Sequence, residues 1–186
     1  MSDGIPVVVG IDPGQKGGFA VLSLDGVPVE VGALPIVEAG RKRYDLHALR
    51  VFLVGLNLAR PIRLVALEQP GARPPRGSNA DADARGQSPG ASTIGPFWRD
   101  FGRLEGMLET LGLPLELPAP RRWQKAVLPP FEAGKSKDAA ADYAARRFPG
   151  ARIVPPRCRK PHEGICDALG LAEWARRRVT GQGGGS

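Results

Sequence analysis

Apolar positions along the chain follow two periods, and the switches between them outline an alternating α/β arrangement. Val7 to Asp12 is an apolar run that ends at Asp-Pro-Gly, the pattern of a buried strand entering a turn. Gly18 to Leu24 and Val27 to Leu34 flank Asp25-Gly26, which favours a tight hairpin, so three antiparallel strands are predicted at the start. Asp45 can cap a helix running to about Ala59, with Leu46, Leu49, Phe52, Leu53 and Leu56 on one face. Ile62 to Glu68 alternates like a strand and ends in an acid before Gln69-Pro70-Gly71. A long helix is predicted from Thr93 to about Leu111, its apolar side (Phe97, Phe101, Leu104, Met107, Leu108, Leu111) serving as core or as dimer seam. Leu113 to Leu117 reads as a short strand, and Pro120 opens a further helix through RRWQK. Ser136 and Asp138 start a helix that stops at Phe148-Pro149-Gly150. Ala151 to Val154 is extended, Pro155 to Pro161 is a basic loop, and Glu163 to Arg178 is the terminal helix.

The 186 residues suit one domain over residues 1 to 180, with residues 181 to 186 as a flexible Gly-rich tail. No apolar run approaches the roughly 20 residues that span a bilayer, so no membrane partner is expected. MSDGIPVVVG has no basic region, long apolar segment or cleavage site, and predicts a folded strand and a cytoplasmic location. Between Gly71 and Ser92 the chain is nearly all small, polar or Pro residues, which cannot build a core. That stretch is either a segment ordered by substrate or a surface insertion.

Charge sharpens the picture. Residues 121 to 160 hold eleven Lys and Arg against three acids, whereas the rest of the chain holds fifteen against sixteen. The whole excess is therefore one segment. A concentrated positive stretch binds a polyanion through counterion release, which makes nucleic acid the leading partner and a solvated basic face the plain alternative. Cys158, His162 and Cys166 form C-x3-H-x3-C, but Pro161 interrupts the helix, a fourth ligand is missing and the spacing is not that of a zinc site.

The candidate chemistry lies in three acids at element ends: Asp12 and Glu68 close strands, and Asp167 sits near the start of the last helix. Hydrolysis of a phosphodiester needs a nucleophile brought to an anionic phosphorus and a leaving alkoxide stabilised, which two divalent ions about 4 Å apart can serve. Mg²⁺ and Mn²⁺ prefer oxygen ligands, which carboxylates supply. Glu163, one turn before Asp167, can add a fourth ligand, or act only on the helix dipole. His162 competes with it, as ligand or proton shuttle, or is an exposed loop residue.

GIDPG, ALEQP and CDALGLAEWA together resemble the motifs of RuvC-type Holliday junction resolvases, within the RNase H-like superfamily, over about residues 6 to 178. The resemblance implies a mixed five-stranded sheet with helices on both faces. It gives Asp12, Glu68 and Asp167 the roles of metal ligands, with Mg²⁺ as the cofactor, Mn²⁺ able to substitute, and two ions per subunit. It also implies a homodimer that nicks a four-way DNA junction symmetrically. RRWQKAVLP and GKSKDAAADYAARRFPG are similar to a tryptophan-lysine element and basic helix of phage relatives. Cellular members place an acid three residues before the last Asp, where this chain has Gly164. The fourth ligand therefore stays open between Glu163 and His162.

Under that resemblance Arg121, Arg122, Lys125, Lys135 and Lys137 are candidates to hold phosphates. Phe97 and Trp98 are candidates to stack on unpaired bases, or else are core. Two other readings compete. GIDPGQKGGFAVL also resembles the first phosphate loop of actin-like ATPases and sugar kinases, although no second glycine-rich loop follows. A branched-DNA-binding module with a decayed site is the other.

Overall fold

A computed structural model of the chain describes residues 4–14, 16–70, 91–129 and 138–182. Three antiparallel strands open it: β1 (Val7–Asp12), β2 (Gly18–Ser23) and β3 (Pro28–Ala33). Gly26, at φ 80°, makes the turn between β2 and β3, a conformation that suits a residue without Cβ. The chain then forms a small hairpin, β4 (Ile36–Ala39) with β5 (Arg41–Tyr44), and enters α1 (Leu46–Ala59). Asp45 caps α1 as expected, its carboxylate accepting from the Ala48 amide at 2.9 Å. The crossover delivers β6 (Ile62–Leu67) parallel to β1. Next come α2 (Ala91–Thr110) and β7 (Leu115–Glu116), the latter parallel to β6. Three helices finish the described chain: α3 (Pro120–Val127), α4 (Ala139–Arg147) and α5 (Glu163–Val179).

The result is a mixed five-stranded sheet in the order β3-β2-β1-β6-β7. Its two faces bury separate cores. Val7, Val9 and Ile11 of β1 pack with Leu49 and Leu53 of α1 and Phe101, Leu104 and Leu108 of α2. Val8 of β1 and Leu64 and Ala66 of β6 pack instead with α3, α4 and α5. Side chains alternate along a strand. Asp12 therefore shares a face with Val8 and Gly10, and Glu68 shares one with Leu64 and Ala66: the face that α5 covers.

Helix α5 is a core element, buried from Gly164 to Arg176 except at Asp167, which is partly open to solvent. It lies against β1 with almost no intervening side chain. A Cβ at Gly10 would overlap the Ala168 carbonyl oxygen and the Ala172 amide, and would stand 2.9 Å from Leu171 Cβ. Only glycine admits that approach.

Three details depart from the expected pattern. The β4–β5 hairpin lies in a segment with no clear apolar periodicity, and it turns at Gly40, φ 73°. The strand expected over Leu113 to Leu117 is only two residues long, because prolines bracket it; the Pro114 and Pro118 carbonyls still accept from Val65 and Gln69. Ala151 to Val154 joins no ladder, although the Ile153 carbonyl accepts from the His162 amide at 2.9 Å. Among the described residues no helix is long and apolar enough to cross a membrane.

Candidate functional site

The first two acids meet because β1 and β6 are parallel neighbours in matching register. Ile11 pairs with Leu67, and the Glu68 amide donates to the Ile11 carbonyl at 3.0 Å. Asp12 and Glu68 thus lie side by side at the carboxyl ends of the two central strands, where open α/β sheets place their ligands. Asp167 arrives from α5. An isolated parallel bridge between Gly17 and Gly164 pins the amino end of that helix to the turn after β1, and Asp167 follows within one turn. All three carboxylates are partly open to solvent.

Their electrostatics record the convergence. Burial, then the charges of Asp167, Glu68 and Glu163, hold the Asp12 carboxyl well above its ordinary range. Burial, then Glu68 and Glu163, push Asp167 up to about 7. Glu68 is raised by burial, against which a hydrogen bond from Trp123 acts. Asp12 and Asp167, set against the charges of Glu68 and Glu163, make with them a cluster in want of a cation. The donors are all oxygen, as Mg²⁺ or Mn²⁺ requires, so the set fits such an ion chemically. Among the described residues, no three His, Cys, Asp or Glu side chains are grouped closely enough to share one ion as they stand.

The structure explains the departure at position 164. A Cβ on Gly164 would overlap the Lys16 carbonyl oxygen and stand 2.6 Å from the Gly17 carbonyl carbon. No side chain fits there, acidic or otherwise. Glu163 is exposed at the first turn of α5 and acts electrostatically on Asp12, Asp167 and Cys166. His162 is a half-buried N-cap, not the exposed loop residue that was its plain alternative, and its Nδ1 accepts from the Ile165 amide at 3.3 Å.

The basic candidates divide. Arg121, Arg122 and Lys125 are exposed on α3, and Arg122 also lies over the Trp174 ring, 5.6 Å from its centroid. Lys135, Lys137 and most of the stretch from Gly71 to Ser92 lie outside the described residues; Ala91 and Ser92 belong to α2. Phe97 is half-buried on α2, edge-on to the exposed Trp98, which in turn meets the buried Phe101. Cys158 and Cys166 are both free, the first exposed and the second buried.

Sequence reasoning missed two contributors. Trp123 is fully buried and donates from Nε1 to Glu68 Oε1 at 2.7 Å. Its helical spacing to Val127, opposite Arg121, Arg122 and Lys125, was the available signal of burial. Tyr44, at the end of the unexpected hairpin, is buried close enough for Asp12 and Asp100 to add to the effect of burial in raising its hydroxyl pKa.

This sheet, with its strand-end acids and covering helix, is an RNase H-like fold of the RuvC type. Two solved structures carry that comparison. A RuvC from T. thermophilus, in complex with a Holliday junction substrate, superposes with a TM-score of 0.57 at 16% identity, over 95% of this chain and 96% of that one. A second Thermus thermophilus RuvC structure gives 0.57 at 20% identity, over 94% and 96%. No protein-family model matches the chain, and no curated protein matches it in sequence.

Proposed function

We propose that the protein is a metal-dependent, structure-specific endodeoxyribonuclease that nicks branched DNA and resolves Holliday junctions by symmetric phosphodiester hydrolysis as a homodimer. One observation carries the reading: Asp12, Glu68 and Asp167, remote in sequence, converge beside the ends of the two central strands, where burial and then the like charge of acidic neighbours raise the pKa of Asp12 and of Asp167. The fold shared with RuvC, in one case bound to a Holliday junction, supports branched DNA as the substrate.

In this reading Asp12, Glu68, Asp167 and Glu163 hold the divalent ions, Mg²⁺ or Mn²⁺, two per subunit. When bound, these ions activate a water nucleophile and neutralise charge on the leaving oxygen. The protein's own work is placement. The two strand ends fix Asp12 and Glu68 on a rigid support, and the Gly17–Gly164 contact fixes the height of Asp167 above them. His162, capping through Nδ1, keeps Nε2 available as a proton shuttle at the rim. Arg121, Arg122 and Lys125 grip phosphates, joined by Lys135 and Lys137, while Phe97 stacks on an unpaired base at the branch point.

The deciding experiment incubates the protein with labelled four-way, forked and linear DNA, in Mg²⁺, Mn²⁺ or chelator, beside Asp12→Asn. Paired symmetric nicks in the four-way junction, absent with chelator and with the variant, are expected. Binding without metal-dependent cutting would instead identify a binding module. Cleavage by Asp12→Asn at the wild-type rate would remove the acid cluster from the chemistry.

A further inference from the structure

The Trp123 indole lies 55 residues from Glu68 in sequence, yet its N–H reaches that carboxylate. The side chain is 0% exposed, and a buried indole N–H takes an acceptor where it can. The acceptor here is an acid of the site, although backbone carbonyls are the commoner partners of side-chain donors. The other side of the ring is fitted to α5. A Cβ at Gly170 would stand 2.5 Å from Trp123 Cζ3 and 3.1 Å from Cη2. Gly170 lies one turn beyond Asp167 on the same helix. The ring is thus wedged between the helix that carries one acid and the strand end that carries another.

A carboxylate has two oxygens and about four lone-pair directions. The indole engages Oε1 and so restricts rotation of the Glu68 carboxylate, leaving Oε2 for other partners. Trp123 also belongs to α3, whose opposite side exposes Arg121, Arg122 and Lys125. One short helix therefore holds both the basic surface and the donor to an acid of the cluster.

We propose that Trp123 is a positioning residue for Glu68: its indole N–H locks one carboxylate oxygen so that the other is presented to a divalent ion. The same bond makes the orientation of this ligand depend on how α3 is seated. The inference rests on the metal-dependent nuclease reading above. Partners that orient metal ligands in this way are worth about 10–100-fold in metal affinity.

The test replaces Trp123 with 3-benzothienylalanine, in which sulfur takes the place of the N–H in a ring of nearly the same shape. Mn²⁺ binding to the full chain is measured by electron paramagnetic resonance without DNA, beside wild type, Glu68→Gln and Trp123→Phe. Thermal unfolding and junction binding are measured in chelator. The expected result is about tenfold weaker Mn²⁺ binding in both Trp123 variants. The benzothienyl variant should keep wild-type junction affinity and unfolding temperature. Wild-type Mn²⁺ affinity in that variant, with or without a lower unfolding temperature, overturns the positioning role and leaves the nuclease reading standing. A wild-type protein that binds no Mn²⁺ overturns both. If the benzothienyl variant does not fold, Trp123→Phe is read by the same criteria.

Discussion

At its carboxyl end α5 buries Glu173, 1% exposed, against two arginines; near its amino end it carries Asp167 toward Asp12 and Glu68. Glu173 accepts from Arg176 Nε and Nη2 at 2.7 and 2.9 Å and from Arg177 Nε at 2.9 Å. Burial pushes its carboxyl up, but the hydrogen bonds and charges of Arg176 and Arg177 outweigh burial and leave it below its ordinary value. Asp167 and Asp12 receive the opposite treatment: burial and then Glu68 and Glu163 raise Asp167, and burial and then Asp167, Glu68 and Glu163 raise Asp12. The same helix thus holds one acid, Glu173, that the protein satisfies internally and another, Asp167, that it sets against like charge. Buried charge with a partner serves the fold, whereas buried like charge without one marks a site.

The sharpest way to break this contrast is to remove a charge at each end. Asp12→Asn should cost about a thousandfold in cleavage, since metal-assisted charge stabilisation is worth several kcal/mol and each ~1.4 kcal/mol is tenfold. It should also raise the unfolding temperature in chelator, because a repulsive charge is gone. Unchanged cleavage or a lower unfolding temperature would show that Asp12 belongs with Glu173. Glu173→Gln should behave in reverse, losing about 3 kcal/mol of stability in denaturant unfolding because Arg176 is left buried without its counter-charge. Mn²⁺ affinity of the folded variant should not move.

Acidity separates the two ends more gently. Asp167 titrates at about 7 when folded against an ordinary 3.8, so between those values the folded state holds a proton that the unfolded state has lost. In chelator, stability should fall as pH rises from about 4 to 7, by no more than about 1.4 kcal/mol per pH unit for each such proton, and then level off. Asp167→Asn should flatten the fall, and Mn²⁺ should offset it at pH 8. Glu173 has the opposite sign: its lowered pKa gives stability that is present above 4.5 and lost as pH falls through the folded value. Thermal unfolding from about pH 2 to pH 8 checks both. The smallest effect expected is from His162→Ala, about 1 kcal/mol for a lost N-cap. If Mn²⁺ affinity also falls while Glu163→Gln leaves it unchanged, His162 is the fourth ligand.

Much of this arrangement could be read from the chain because the acids end strongly apolar runs. Val7 to Ile11 and Leu64 to Leu67 must be strands for burial to succeed, and that fixes where Asp12 and Glu68 stand. The departure at Gly164 was visible as a missing acid, but its cause was not, since it depends on the Lys16–Gly17 backbone crossing the start of α5. The Trp123–Glu68 bond was hidden for a similar reason: helical spacing marks Trp123 as buried but does not say which acceptor it meets. The β4–β5 hairpin left little trace, since its residues are largely charged or small.

The glycine contacts between α5 and the first two strands have a consequence for how the site can vary. Gly10, Gly18 and Gly164 each place a hydrogen where any other residue would put a carbon into opposing backbone. Nothing smaller exists to replace them. Every substitution at these positions can lift Asp167 away from the strand ends, and none can lower it. The tolerance on that spacing is one-sided, with the native chain resting against its stop.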